Sequence, residues 1–154
     1  MLFDLDLAVT LRPIWHQEPP LVRVGCLGQQ QDIILDRTVT TRHRAATSGQ
    51  QQLTVQFLNK TDRDTDLDRG LDKAVVIDGI SFFGIHDKKF IWMGQYRPCY
   101  PEPWATQQRD LGRAPDPVLT NVDRLSWNGV WTLDFDLPIF TWIHRVQDLG
   151  WIYR

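Results

Sequence analysis

The sequence predicts an all-β protein, a β-sandwich or jelly roll of about eight strands joined in part by two long loops. Three observations carry this. Short runs rich in β-branched and aromatic residues recur along the chain, with turn formers between them. Several of those runs alternate apolar and polar residues, which marks a strand with one buried face. The 154 residues are 42% hydrophobic and 23% charged, a balance that suits one core, so 1–154 is read as a single sandwich domain.

Taken in order, Leu5 to Ile14 alternates with Leu5, Leu7, Val9 and Leu11 on one face, and ends before Pro19 and Pro20. Leu21 to Leu27 follows and stops at Gly28, and Ile33 to Leu35 is a brief third strand. Thr38 to Ala45 is polar and β-branched, an exposed strand. Gln52 to Leu58 turns Leu53, Val55 and Phe57 inward. Ala74 to Ile85 is the most apolar strand, and Lys89 to Tyr96 reads as its neighbour. Trp131 to Leu137 places Trp131, Leu133, Phe135 and Leu137 on one face. Ile139 to Arg154 fits two periods. Ile139, Ile143, Val146 and Leu149 make a helical stripe, whereas Phe140–Ile143 and Trp151–Tyr153 fit strands around a turn at 148–150. The strand reading is preferred because Gly150 and the ring-rich, β-branched content suit a helix interior poorly.

Composition excludes several roles. The net charge is only -2, and the run Arg42-His43-Arg44 is too small for a nucleic-acid footprint, so neither nucleic acid nor a membrane surface is an expected partner. No apolar run approaches the roughly 20 residues of a membrane span. The start, Met1-Leu2-Phe3-Asp4-Leu5-Asp6, lacks the basic segment of a signal peptide. The expected setting is aqueous and cytosolic. Cys26 and Cys99 have no CxxC partner; they could form one bridge with each other, and reduced, buried thiols are the preferred reading. His16, His43, His86 and His144 are scattered, and no nucleophile elbow, phosphate loop or zinc-protease helix is present. The expectation is a protein without catalytic residues.

The first long loop, Lys60 to Lys73, holds Asp62, Asp64, Asp66, Asp68 and Asp72. Calcium requires six to eight hard oxygens. An EF-hand is ruled out, because counting from Asp62 puts Leu67 at the glycine position and Lys73 at the twelfth. The order Leu53-Thr-Val-Gln-Phe57, then Asn59, then Asp72-Lys-Ala-Val-Val-Ile-Asp78-Gly-Ile80 resembles the calcium-dependent xylan-binding modules, which are β-jelly rolls. The resemblance implies a jelly roll and candidate calcium ligands at Asn59, Asp72 and Asp78, and the loop's own carboxylates Asp62 and Asp64 join that candidate set. Lys60 stands where those modules have an Asp, Lys73 where they have Arg, and Ala74 where they have Asn. A solvated loop balanced by Arg63, Arg69 and Lys73 is the plainer reading of the same acids.

The second long loop, Arg97 to Arg124, opens with prolines and rings alternating through Pro98-Cys99-Tyr100-Pro101-Glu102-Pro103-Trp104, which suggests a semi-rigid extended segment. Its rings suit a lid over the sandwich, a protein interface or stacking on sugar. Trp127-Asn128-Gly129-Val130-Trp131 reads as a hairpin turn with both tryptophans packed on the sheet.

The segments Trp92-Met-Gly-Gln-Tyr96, Tyr100-Pro-Glu-Pro-Trp104, Trp127–Phe135 and the ring-rich end to Tyr153 look like those of small virion-associated proteins of tailed phages, especially phages of cyanobacteria. That resemblance implies a decoration, tail or baseplate module that docks on other virion proteins or on its own copies. Tyr96, Tyr100, Trp104, Trp142, Trp151 and Tyr153 are then the candidate partner- or glycan-contacting residues. Two readings result: a non-catalytic assembly module, and a calcium-dependent carbohydrate-binding module.

Overall fold

A computed structural model describes residues 1–147, and among these the chain forms two antiparallel sheets packed as a sandwich. The first sheet contains β1 (Phe3–Ile14), β4 (Val39–Thr47), β6 (Ala74–Phe82), β7 (Ile85–His86) and β10 (Arg124–Leu125). Its order is β10-β6-β1-β4, with β7 folded back on β6. The second contains β2 (Leu21–Cys26), β3 (Gln29–Ile34), β5 (Gln50–Phe57), β8 (Gln95–Pro98), β9 (Leu119–Thr120) and β11 (Gly129–Asp136), in the order β3-β2-β5-β11-β8-β9. Helices α1 (Lys88–Trp92), α2 (Trp104–Asp110) and α3 (Ile139–Gln147) complete it.

The period-two pattern accounts for the core. Leu5, Leu7, Val9 and Leu11 of β1 face Leu53, Val55 and Phe57 of β5 and Trp131, Leu133 and Phe135 of β11 within one buried cluster. Alternation delivers this because successive side chains leave a strand on opposite faces. β4 is exposed, as its polar sequence predicts, and the sheet order places it at an edge; its basic run is met by Asp6 of β1, 3.7 Å from Arg42 and 3.4 Å from Arg44.

Four local expectations are corrected. Lys89 to Tyr96 is not one strand: Asp87 accepts a hydrogen bond from the Lys89 backbone N–H at 2.9 Å and caps α1, and the strand β8 begins only at Gln95. Ile139 onward is helical rather than stranded. Ile139, Trp142 and Ile143 are buried on one stripe of α3, so closing the end of the sandwich favoured the 3.6-residue period over strand propensity. Trp151 and Tyr153 lie outside the described residues. The proline-rich loop is not extended throughout, since α2 forms inside it with Glu102 accepting from the Thr106 backbone N–H and hydroxyl at 3.2 and 2.6 Å. Asn128-Gly129 is no hairpin turn: β10 belongs to one sheet and β11 to the other, so the chain crosses between layers there.

Two glycines are required by close approach. A Cβ on Gly94 would lie 2.2 Å from the Trp131 ring, and one on Gly129, at φ +153, would lie 2.4 Å from the Arg97 carbonyl. Gly94 lets the exit of α1 pass over the largest buried side chain. Gly94→Ala is therefore expected to destabilise the fold by about 1–3 kcal/mol through overpacking, read as a lower urea midpoint with an unchanged slope.

Candidate ligand-binding cleft

The ends of β5 and β2 are joined by Asn59. Its side-chain oxygen accepts from the Leu21 N–H at 2.8 Å and its nitrogen donates to the Pro19 carbonyl at 3.1 Å. Both ends of the amide are thus committed to backbone. The next residue is clamped by Asn128, which accepts from the Lys60 N–H at 2.7 Å and donates to the Lys60 carbonyl at 3.0 Å. This reciprocal pair joins the acidic loop to the β10–β11 crossover, 68 residues away in sequence.

Inside the acidic loop, a 3-10 turn at Asp62–Asp64 follows Thr61. Asp64 accepts from the Thr61 backbone N–H at 2.7 Å and hydroxyl at 3.2 Å, and lies 3.3 Å from the Lys73 ammonium. The Lys73 ammonium also donates to the Asn59 carbonyl at 3.2 Å, and this lysine is only 1% exposed. Burial pushes the Asp64 carboxyl up, but the Thr61 donors and the Lys73 ammonium outweigh it and hold the carboxyl below its ordinary range.

Asp72 is the other anchor. One of its oxygens accepts from the Thr65 hydroxyl, the Lys73 backbone N–H and the Lys60 ammonium, each at 2.8 Å, and the second accepts from Arg124 at 2.8 Å. Burial again acts upward on this carboxyl and is overcome, chiefly by the bonds from Lys60 and Thr65, which leave it at about 2.

Cys99, Pro101 and Trp104 of the aromatic loop line the same surface. Tyr100 packs edge-on against Trp127 with ring centroids 5.1 Å apart and is tilted against Trp104 at 5.8 Å. Its hydroxyl donates to the Asp116 carbonyl at 2.6 Å. Trp104 remains 40% exposed. Between the loops lies a cleft of about 690 Å³ whose lining includes Lys60, Asp62, Asp72, Trp104, Trp127 and Asn128. Such a site offers ring faces beside a few convergent polar groups, the make-up of a small-molecule pocket.

The expected site residues are thus only partly gathered. Asp62, Asp72 and Trp104 line the cleft, and Tyr100 packs against its tryptophans, Trp104 and Trp127. Asp64 is buried on Lys73 and does not line the cleft. Asp78 is elsewhere: Thr10 pairs with Gly79 and Leu11 with Ile77, so Asp78 is the extra residue of a bulge in β6, 3.4 Å from Arg12. Among the described residues, no group of three or more His, Cys, Asp or Glu side chains converges as a metal-ligand cluster. Tyr96, expected at the surface, is fully buried, with its hydroxyl donating to the Trp127 carbonyl and accepting from the Trp127 N–H at 3.2 Å. Trp142, also expected to touch a partner, is buried against Phe82, Phe90 and Phe135. Trp131 packs in the core as expected, whereas Trp127 faces the cleft. Trp127 and Asn128 escaped the sequence reading because an Asn-Gly pair signals a turn. The counter-signal was the shortness of the apolar stretch before it, too brief for a hairpin arm. Cys26 and Cys99 are both free, and burial pushes the Cys26 thiol up to about 11.

No protein-family model matches the chain, and no curated protein matches it. Two solved structures share its fold. One is vCBM60 in complex with galactobiose, with a TM-score of 0.50 and 16% identity over 83% of this chain and 96% of that one. The other is the selenomethionine form of vCBM60, described with a circular permutation that links two families of calcium-dependent carbohydrate binding modules; its TM-score is 0.50, with 17% identity over 84% of this chain and 89% of that one. At such identities the likeness establishes the β-sandwich of those modules.

The Asp72 anchor has a pH signature. Its folded carboxyl sits at about 2, below the ordinary 3.8, so the folded chain binds fewer protons than the unfolded chain in that window. The stabilisation is complete above about pH 5 and is lost as pH falls through 2. About 1–2 kcal/mol should disappear over this range after allowance for solvent screening. Asp72→Asn should flatten that limb in urea titrations at stepped pH.

Proposed function

We propose that this chain is a non-catalytic carbohydrate-binding module that seats part of a neutral oligosaccharide in the cleft between its two long loops. The observation that carries the reading is the convergence, from loops far apart in sequence, of Trp104 and Trp127 with the Lys60–Asp72 pair around one cavity. Sugar rings present apolar C–H faces and a rim of hydroxyls. The indoles suit the faces, and the ammonium, the carboxylates of Asp62 and Asp72 and nearby backbone suit the rim. The fold shared with vCBM60, whose complex holds galactobiose, supports this. A catalytic role gains nothing from the geometry, because Asp72 is kept ionised by four donors and is poorly placed to deliver a proton at neutral pH.

The virion-assembly reading has no counterpart among the similar structures, and burial of Tyr96 and Trp142 takes away two of the rings it would use. Among the described residues no helix is long and apolar enough to cross a membrane.

Calorimetric titration with galactobiose and with xylo-oligosaccharides tests the proposal. Binding is expected to at least one, with Trp104→Ala or Trp127→Ala weakening it about tenfold, the loss of roughly one stacking contact. Equal affinity in both variants, or no heat from any saccharide, would refute it.

A further inference from the structure

The acidic loop contains two copies of one arrangement. The Lys60 ammonium lies 2.8 Å from an Asp72 oxygen and 2.5 Å from the Ser126 carbonyl. The Lys73 ammonium lies 3.3 Å from an Asp64 oxygen and 3.2 Å from the Asn59 carbonyl. Each takes one carboxylate and one backbone carbonyl, the hard oxygens that a calcium ion would claim. Calcium does not fit this donor set. The Asn59 amide is used at both ends, Asp78 lies in the β6 bulge, and Asp72 is shared between Lys60 and Arg124. An incoming divalent ion would have to displace an ammonium with only 14% of its side chain exposed, against the adjacent guanidinium.

We infer that Lys60 is a tethered cation standing in for a bound divalent ion, so that the cleft takes its saccharide without calcium and through Lys60 itself. This rests on the saccharide reading of the cleft. The two lysines divide the work. Lys73 is sealed beneath the loop and holds its shape, whereas Lys60 lines the cleft. An ammonium has three N–H donors. Asp72 and the Ser126 carbonyl take two, which leaves one for a ligand hydroxyl. A lysine on the chain costs no ion binding and is indifferent to chelators, so such a site works at any calcium concentration.

Two readouts separate the inference from the reading beneath it. The first uses the chain alone. Its Tm is expected to shift by less than about 1 °C between EDTA and about 5 mM calcium, whereas an ion bound at one hundredth of that concentration would add about 2.7 kcal/mol and raise Tm by several degrees. Lys60→Asp, which trades the ammonium for a carboxylate, is expected to gain a calcium-dependent rise in Tm. A calcium-responsive native chain, or a Lys60→Asp chain indifferent to calcium, overturns the substitution. The second readout is calorimetry with galactobiose and xylo-oligosaccharides. Affinity should agree within about twofold in EDTA and in calcium, and Lys60→Met, folded by circular dichroism, should bind about tenfold more weakly. Binding that requires calcium, or that survives Lys60→Met, overturns the inference. Silence from every saccharide in both buffers defeats the saccharide reading and the ligand role of Lys60 with it, while the first readout still decides whether an ammonium replaces the ion.

Discussion

The buried Lys73–Asp64 pair closes the base of the acidic loop whose Lys60, Asp62 and Asp72 line the cleft. An ammonium removed from water costs several kcal/mol unless oxygens surround it, and Lys73, only 1% exposed, meets that demand with Asp64 and the Asn59 carbonyl. Asp64 in turn is held by Thr61, so the loop is closed onto itself at its base. The 3-10 turn and Asp62 follow from that closure, while Lys60 is set by Asn128 and Asp72. Breaking one partner would leave the other charge stranded, which makes the pair a device for fixing geometry rather than a source of net stability.

Charge neutralisation also explains why so acidic a loop folds compactly. Asp72 is opposed by Lys60 and Arg124, Asp64 by Lys73, and Asp66 forms a two-residue bridge with Leu71 through paired backbone bonds of 2.9 Å. Asp62 remains at the surface of the cleft. A loop left to water would need no such pairing. Two of its ion pairs, Lys73–Asp64 and Lys60–Asp72, are of low exposure, the kind less weakened by salt than surface pairs.

The sequence carries seven tryptophans, more than a core of this size needs, and those described divide among separate uses. Trp131 and Trp142 are core residues, the second sealing the end of the sandwich against Phe82, Phe90 and Phe135 with ring centroids 5.5 to 6.1 Å away. Trp104 and Trp127 face the cleft. Trp15 lies at the surface, with its indole N–H donating to the Asp36 carbonyl at 3.3 Å. Composition registers all of these as one excess, because burial and presentation use the same ring for opposite reasons.

The alternating strands, the exposed strand at β4 and the two long loops were legible from residues alone, since a period of two commits a strand's buried face before any partner is known. The acids of the first loop and the rings of the second were also visible there. Their meeting was not. Asn128 reaches Lys60 across the crossover, and Trp127 faces the cleft, only because β10 and β11 lie in different sheets. Likewise α3 exists because the open end of the core required a helical stripe where local propensity favoured strands. The sequence by itself determined which side chains are buried along each strand and which chemical groups the loops carry. The tertiary structure decided which of those groups meet, because contacts between segments 68 residues apart depend on how the layers pack, and no local pattern encodes that.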